Sequence, residues 1–167
     1  MIFITLGSQK FQFNRLLKAA DQLKLGEEIF AQIGYSDYRP ISYPYKTFMD
    51  KNEFEEMMDK ADVVITHGGT GAIIGAVKKR KKVIAVPRLK KYGEHVDDHQ
   101  LQLVEQFRKL NLIYACEDMD LKKALEIVNK TEYKRYHSNT NRIIESLEEI
   151  IYIFLTIFLY EPVKKFL

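Results

Sequence analysis

The sequence has little cysteine, little proline and no tryptophan. Its single cysteine, Cys116, excludes an internal disulfide framework and cannot form a cysteine-rich metal site. With few prolines and no low-complexity stretch, the chain has the composition of a globular protein. Its 167 residues fit one domain of ordinary size, which we expect in a reducing, cytoplasmic compartment.

Long apolar runs and a strong charge of one sign are also missing. No segment has the roughly 18 continuous apolar residues that span a bilayer. The run Met1–Leu6 is too short for a signal peptide and leads straight into Gly7, so it predicts a first strand. The net charge of +3 is mild. The basic run Lys78–Lys82 lacks interleaved aromatic residues and falls at a predicted helix end, where cations complement the helix dipole. Attraction to anionic lipid is a second interpretation of that run, and we expect no nucleic-acid partner.

Short apolar runs alternate with segments of helical periodicity along the chain. Strands are predicted over residues 2–6, 28–33, 62–66, 82–86 and 112–115, and residues 36–45 read as a loop with at most a short strand. Helices are predicted over 11–24, over 48–61, from the glycine loop through Val77, around Leu103, Val104 and Phe107, and over 121–128. This alternation predicts an α/β fold in which a Rossmann-like parallel sheet is flanked by helices, with one domain over residues 1–140.

Residues 141–167 are predicted as a separate, long C-terminal helix. One face of it is charged up to Glu149, whereas almost every residue from Ile150 to Tyr160 is apolar. A helix that is apolar all round needs burial on two sides, against its own core, a partner subunit or the membrane interface. We therefore expect this segment to dock on a partner or on the membrane.

Two glycine-containing loops follow predicted strands. They are Gly7-Ser8-Gln9 and the run from His67 to Gly71, which has three glycines in five residues. Ligands of doubly wound sheets bind where the strands end, and glycine-dense backbone can approach a diphosphate and donate several amides to it. The dinucleotide fingerprint and the P-loop pattern both fail here, so no cofactor is expected. A plain strand-to-helix turn, and a capping or packing role for His67, remain open.

A third loop, from Arg88 to Gln100, gathers hydrogen-bonding side chains just before a predicted helix. Its carboxylates, imidazoles and amide suit a polyhydroxylated ligand, although Asp97 and Asp98 are also ordinary helix caps. A metal site built from His95, Asp98 and His99 is the less favoured alternative, and we expect no bound metal.

Taken together, three motifs resemble one known family. In order they are T-L-G-S-Q near the start, T-H-G-G-T-G-A-I in the middle, and V-P-R followed by Y-G-E-H-V-D-D-H-Q. Over residues 1–130 the chain is similar to the donor-binding C-terminal half of GT-B-fold glycosyltransferases. It looks most like the stand-alone subunits of that group, which are the catalytic subunit of the eukaryotic dolichol-linked N-acetylglucosaminyltransferase and its bacterial counterparts in capsule and exopolysaccharide assembly. The third motif fits the bacterial branch better.

The resemblance implies a single GT-B half-domain that binds a UDP-sugar. The diphosphate would lie against the two glycine loops, and Asp98, His99 and Gln100 would read the sugar hydroxyls. The expected substrate-binding residues are Gly7, Ser8, Gln9, His67, Gly68, Gly69, Thr70, Gly71, Arg88, Glu94, His95, Asp98, His99 and Gln100. Transfer would proceed with inversion and without a metal. No catalytic base is assigned, because a partner can supply it.

The resemblance also implies a partner, an acceptor and a location. A membrane-anchored acceptor-binding subunit would complete the active site. A hexose would pass to a polyprenyl-pyrophosphate-linked sugar in capsule or exopolysaccharide biosynthesis, at the inner face of the cell membrane. The alternative is a non-catalytic accessory subunit that enhances a partner glycosyltransferase. One residue departs from the pattern: Gly75 stands where full-length relatives commonly have a glutamate that holds the ribose.

Overall fold

The computed structural model describes residues 1–23 and 26–137. Residues 1–136 form one compact unit. The predicted C-terminal helix over 141–167 lies outside the described residues. Within the part of the chain that is described, no helix is both long enough and apolar enough to cross a bilayer.

The unit is built on a parallel sheet of six strands. They are β1 (Ile2–Thr5), β2 (Ile29–Gln32), β3 (Tyr45–Lys46), β4 (Val63–His67), β5 (Lys82–Val86) and β6 (Tyr114–Ala115), and their spatial order is β3-β2-β1-β4-β5-β6. From β1 the chain adds β2 and then β3 on one side, and it then returns so that β4 pairs with the other side of β1. This is the strand order of a doubly wound fold, and its switch point lies between β1 and β4. The predicted Rossmann-like parallel sheet is confirmed.

Within the described residues, four α-helices and one 3₁₀ turn lie between strands, and a fifth α-helix follows β6. They are α1 (Asn14–Asp21), α2 (Lys51–Lys60), α3 (Thr70–Lys78), the 3₁₀ turn Lys90–Tyr92, α4 (His99–Lys109) and α5 (Leu121–Lys130). Helix α2 starts at a capping box, in which the Asp50 carboxylate accepts from the Glu53 amide and the Glu53 side chain accepts from the Asp50 amide. Helix α1 is shorter than the predicted range of 11–24. It begins late because the Phe13 amide donates to Ser36 Oγ, at 2.9 Å, so residues 8–12 stay in a loop.

Alternating strand residues divide the core into two layers, one on each face of the sheet. Ile2, Ile4, Ile65 and Ile84 pack with helices α1 and α5 on one face. Phe3, Val64, Val83 and Ala85 pack with α2, α3 and α4 on the other. Because both faces are covered, most positions of β1, β2, β4 and β5 are apolar and buried. This packing fixes the loops at the carboxyl ends of the strands relative to one another.

The basic run Lys78–Lys82 contacts helix ends near the amino ends of the strands, opposite the loops at their carboxyl ends. Lys81 Nζ donates to the carbonyl of Asp59 at the end of α2, at 2.7 Å, and Lys82 Nζ donates to the carbonyl of Asn129 at the end of α5, at 3.0 Å. Lys79 forms ion pairs with Glu55 and Asp59. Lys81 and Lys82 therefore satisfy carbonyls at the ends of α2 and α5, whereas the sequence predicted a cap on α3, the helix in which the run begins.

Candidate functional site

A cavity of about 490 Å³ opens at the switch point of the sheet. Its walls come from the loops after β1 and β4, the last residue of β2, and helices α2 and α3. The lining residues are Thr5, Gly7, Ser8, Gln9, Gln32, Phe54, Met58, His67, Gly69, Thr70, Gly71, Ala72 and Gly75. Seven of the predicted site residues thus share one cavity: Gly7, Ser8, Gln9, His67, Gly69, Thr70 and Gly71. The topology brings them together because β1 and β4 are neighbours.

The turn after β1 depends on glycine at its first position. Gly7 has a φ of +70°, in the left-handed region that side-chain-bearing residues rarely adopt. A Cβ at this position would also lie 2.6 Å from His67 Cε1. Gly7 therefore both turns the chain away from β1 and makes room for the imidazole of the neighbouring loop.

His67 ends β4 with its ring packed between two glycines. A Cβ on Gly69 would lie only 2.2 Å from His67 Nε2, so the ring occupies the space that a side chain there would need. The ring also lies next to Thr66, whose hydroxyl is 3.4 Å from His67 Nδ1 and donates to the Thr5 carbonyl. The imidazole lines the cavity while only 7% of the residue is exposed.

Burial and, to a smaller extent, the positive charge of nearby Arg88 lower the pKa of His67 to about 4. The imidazole is therefore neutral at neutral pH. A neutral ring can donate one hydrogen bond and accept another. It adds no charge of its own to the cavity, so an anion bound there must be stabilised by other groups.

The N-terminus of α3 supplies such groups. Gly69 is its N-cap and has no side chain with which to satisfy the first amides, and no other side chain caps this helix within the described residues. Thr70 and Gly71, in the first turn, line the cavity. Free amides and the positive end of the helix dipole favour an anion at this place. Helix α1 does not play this part, because Asn14 at its start lines a different, smaller cavity of about 270 Å³ beside Arg15 and Glu94.

Gln100 links the loops that follow β4 and β5. Its side-chain oxygen accepts from the amides of Gly68 and Arg88, each at 3.0 Å, and the residue is 4% exposed. This oxygen is therefore engaged in holding two loops together. Gly68 and Gln100 lie behind the cavity wall rather than on it.

Arg88 and Glu94 are also buried behind the wall. Arg88 is 1% exposed, and its Nη2 donates to the Leu6 carbonyl at 2.9 Å. Glu94 is 5% exposed and accepts two hydrogen bonds from Arg15, at 2.9 and 2.8 Å, and one from the Leu89 amide at 3.0 Å. Burial lowers the pKa of Arg88 to about 10, and Glu94 opposes that shift, so the guanidinium keeps its charge at neutral pH.

The remaining predicted residues lie at the start of α4. The side chain of Asp98, the N-cap residue, accepts from the Lys90 amide at 2.8 Å, and His99 is exposed in the first turn. His95 precedes the helix, with its ring 5.3 Å from that of Phe11 and its Nδ1 2.9 Å from the Asp97 carboxylate. Among residues 1–23 and 26–137, no group of three or more His, Cys, Asp or Glu side chains could hold a metal ion. The alternative of a metal site at His95, Asp98 and His99 thus gains no support.

Three residues that line the cavity, Gln32, Phe54 and Met58, were not predicted as site residues from the sequence. Gln32 comes from the end of β2, and its side-chain oxygen accepts from the Met49 amide at 3.1 Å. Phe54 and Met58 form an apolar wall from α2. In the sequence they look like ordinary core residues, and only the position of α2 beside the switch point reveals them. Gly75 also lines the cavity, with open space where its side chain would be.

Comparison with known proteins assigns the fold and the motifs to one family. The family model of the glycosyltransferase family 28 C-terminal domain matches residues 1–152. The UDP-N-acetylglucosamine transferase subunit ALG13 of Candida albicans is 26% identical over 109 residues, which cover 65% of this chain and 34% of that protein. The subunit of the same name from Candida glabrata is 31% identical over 109 residues, covering 63% of this chain and 53% of that protein. The chain thus spans about a third to a half of the length of these curated relatives.

Solved structures show the same fold. The solution structure of ALG13 matches with a TM-score of 0.57 at 18% identity, and the match covers 87% of this chain and 93% of that one. The structure of Acinetobacter baumannii MurG matches with a TM-score of 0.53 at 18% identity over 78% of this chain, but over only 41% of its own. The chain therefore corresponds to one half of a GT-B fold, and it belongs to the glycosyltransferase family 28 C-terminal domain family.

Proposed function

We propose that this chain is the donor-binding subunit of an inverting glycosyltransferase that uses a UDP-sugar. The cavity between β1 and β4 carries the proposal, because it combines the Gly7 turn with the uncapped N-terminus of α3. A diphosphate fits this arrangement through backbone amides and a helix dipole, with no metal required. Two relatives of the chain are named as subunits of a UDP-N-acetylglucosamine transferase, which supports UDP as the nucleotide.

Within the cavity, we assign the diphosphate to the loops at residues 7–9 and 67–71. The apolar wall of Phe54 and Met58 and the polar end of Gln32 are then left for the nucleoside. For the sugar, His99 and Asp98 are better placed than Gln100 and Glu94, because the first two are exposed whereas the last two are buried with their oxygens engaged. His95 lies beside them.

The transfer itself requires a second protein. The acceptor we propose is a lipid-linked sugar, presented by a membrane-anchored subunit that also supplies the general base. This chain would then work at the inner face of the membrane through that partner. The capsule or exopolysaccharide setting rests on the third sequence motif alone, and a partner gene beside this one would support it.

Calorimetric titration of the purified chain with UDP, UDP-N-acetylglucosamine and ADP tests the nucleotide site. We expect the two uridine ligands to bind and ADP to bind at least about tenfold more weakly, since specific hydrogen bonds to the base discriminate on that scale. If neither uridine ligand binds, the proposal is wrong.

A second experiment separates a catalytic subunit from an accessory one. His99→Ala removes an exposed side chain, so the fold should be kept while sugar transfer by the chain and its partner, on a lipid-linked acceptor, falls by about tenfold or more. Lys109→Ala, at the far end of the same helix, is the matched control. The accessory role would be favoured by two results together. The His99 variant would keep full transfer activity, and a Gly69→Ala variant that no longer binds UDP would keep it as well.

A further inference from the structure

Arg88 carries a buried charge that its surroundings do not fully satisfy. Of its side-chain nitrogens, Nη2 donates to the Leu6 carbonyl, whereas Nε and Nη1 are buried without a hydrogen-bond partner in the described part of the chain. A buried, incompletely paired guanidinium is costly. If a donor to the Leu6 carbonyl were all that this position required, a neutral amide side chain could supply it without that cost.

The nearby charges leave an excess of one positive charge. Glu94 is the carboxylate that acts on Arg88, and it already accepts hydrogen bonds from Nε and Nη2 of Arg15. The two guanidinium groups each lie 5.4 Å from the centre of the Phe13 ring. Arg15, Arg88 and Glu94 therefore form a cluster with two cations and one anion. Neighbouring His67 adds nothing at neutral pH, because its pKa is about 4.

This charge lies directly behind the cavity wall. The Leu6 carbonyl that accepts from Arg88 belongs to the peptide bond that enters Gly7, and Gly7 lines the cavity. The effect of Arg88 on the pKa of His67 shows that its field reaches a second lining residue. A protein interior screens such a field much less than water does.

We propose that Arg88 is a fixed positive charge that selects a dianionic or trianionic ligand for the cavity, without touching that ligand. It is a positioning and specificity residue, and under the proposed function the anion is the diphosphate of the donor. This proposal rests on the proposed function only in assuming that the bound anion carries a nucleoside. The charge of Arg88 would favour inorganic pyrophosphate in the same way, so pyrophosphate binding tests the role of Arg88 separately from the proposed function.

The test compares charge removal with charge retention at one position. Arg88→Gln keeps an amide donor for the Leu6 carbonyl but loses the charge, whereas Arg88→Lys keeps both. We expect Arg88→Gln to weaken binding of UDP and of pyrophosphate by about tenfold and binding of uridine by less than about twofold, because only the anions feel the lost charge. Arg88→Lys, which keeps a positive charge with fewer donors, should lose less affinity for UDP and pyrophosphate than Arg88→Gln and should keep uridine binding within about twofold. Lys109→Met, which removes an exposed charge, is the control.

Two further measurements keep the idea falsifiable if Arg88→Gln does not fold. Glu94→Gln removes the opposing charge and should tighten UDP binding by about threefold while leaving uridine unchanged. NMR titration of His67 without ligand should show its pKa falling in Glu94→Gln, because a nearby negative charge is removed.

The outcomes distinguish this inference from the proposed function. If the wild type binds pyrophosphate in an Arg88-dependent way but not UDP, the function is wrong and the role of Arg88 stands. Equal UDP binding by wild type and Arg88→Gln, or parallel losses of UDP and uridine, would overturn the role of Arg88 alone. Failure of the wild type to bind any of the anions would overturn both.

Discussion

At the scale of single residues, His67 and the two glycines beside it determine what the cavity can bind. The ring fills the space between the turn after β1 and the start of α3, so each loop limits the position of the other. Because the pKa of His67 is about 4, its neutral form is the one present at neutral pH. The cavity therefore combines a neutral imidazole with free amides, a pairing that suits hydrogen bonding to phosphate oxygens.

The lowered pKa of His67 predicts a loss of stability in mild acid. Above the ordinary pKa of 6.5, the ring is neutral in both the folded and the unfolded protein. Between that value and about 4, the unfolded chain binds a proton that the folded protein excludes, so the free energy of unfolding decreases as the pH falls. From about pH 7.5 to about pH 5 we expect His67 to account for roughly 2 kcal/mol of lost stability.

Urea unfolding at those two pH values measures this loss, and His67→Gln serves as the comparison. The variant should lose less stability between the two values, because glutamine does not titrate. Equal losses in the two proteins would show that His67 has an ordinary pKa in the folded state.

Replacing either of two glycines on the cavity wall by alanine should change the free energy of unfolding, but in opposite directions. Gly69→Ala forces the His67 ring to move, so we expect a loss of about 1–3 kcal/mol in unfolding free energy and a marked loss of UDP binding. Gly75→Ala adds its methyl to open space within α3 and should stabilise the protein by about 0.5–1 kcal/mol. Thermal unfolding of both variants checks this pair, and a stable Gly69→Ala protein with unchanged UDP affinity would contradict it.

At the scale of elements, the start of α4 connects the loops that follow β4 and β5. Gln100 accepts the amides of Gly68 and Arg88, and Asp98 accepts that of Lys90. The helix thereby holds the loops after β4 and β5 in register. A substitution at Gln100 should consequently affect binding through the positions of these loops as well as through any sugar contact.

Replacement of Gln100 separates these effects. Gln100→Ala leaves two buried amides without an acceptor, and we expect it to cost on the order of 2–4 kcal/mol. Gln100→Glu restores an acceptor for both amides and should recover much of this stability. Its added negative charge should nevertheless weaken UDP binding. Chemical unfolding together with UDP titration measures both properties, and a Gln100→Ala protein as stable as the wild type would refute the role given to this side chain.

The sequence predicted most elements because their signals are local. Each long strand is an apolar run, and the bounds of β5 match the prediction over residues 82–86. The start of α1 could not be predicted, since it depends on Ser36, 23 residues away. Likewise, the polar character of Arg88 and Glu94 was visible, but their buried partners are distant in the sequence: Arg15 is 79 residues from Glu94, and Leu6 is 82 residues from Arg88. Long-range contacts of this kind leave no pattern in a single sequence.

At the scale of the whole molecule, the two ends of the strands have different roles. The cavity lies at the carboxyl ends of β1 and β4, whereas Lys81 and Lys82 satisfy helix ends at the opposite, amino end of the sheet. Residues 1–136 contain both ends of the strands and both core layers. All the contacts assigned here to donor binding therefore lie within this unit.

A shortened chain tests that statement. We expect a protein ending at Tyr136 to fold cooperatively and to bind UDP within about threefold of the full chain, because every contact assigned to binding is kept. Circular dichroism with thermal unfolding, followed by calorimetry with UDP, provides the measurement. A shortened protein that folds but no longer binds UDP would place part of the donor site beyond Tyr136.

The two outermost strands have a consequence for the behaviour of the protein at high concentration. β3 and β6 are each only two residues long, so neither edge of the sheet offers a long row of unpaired backbone groups to another molecule. Short edges of this kind oppose strand-to-strand aggregation between copies of the same protein. The proposed pairing with a different subunit would benefit from this arrangement, because short edge strands oppose self-association of the unpaired chain.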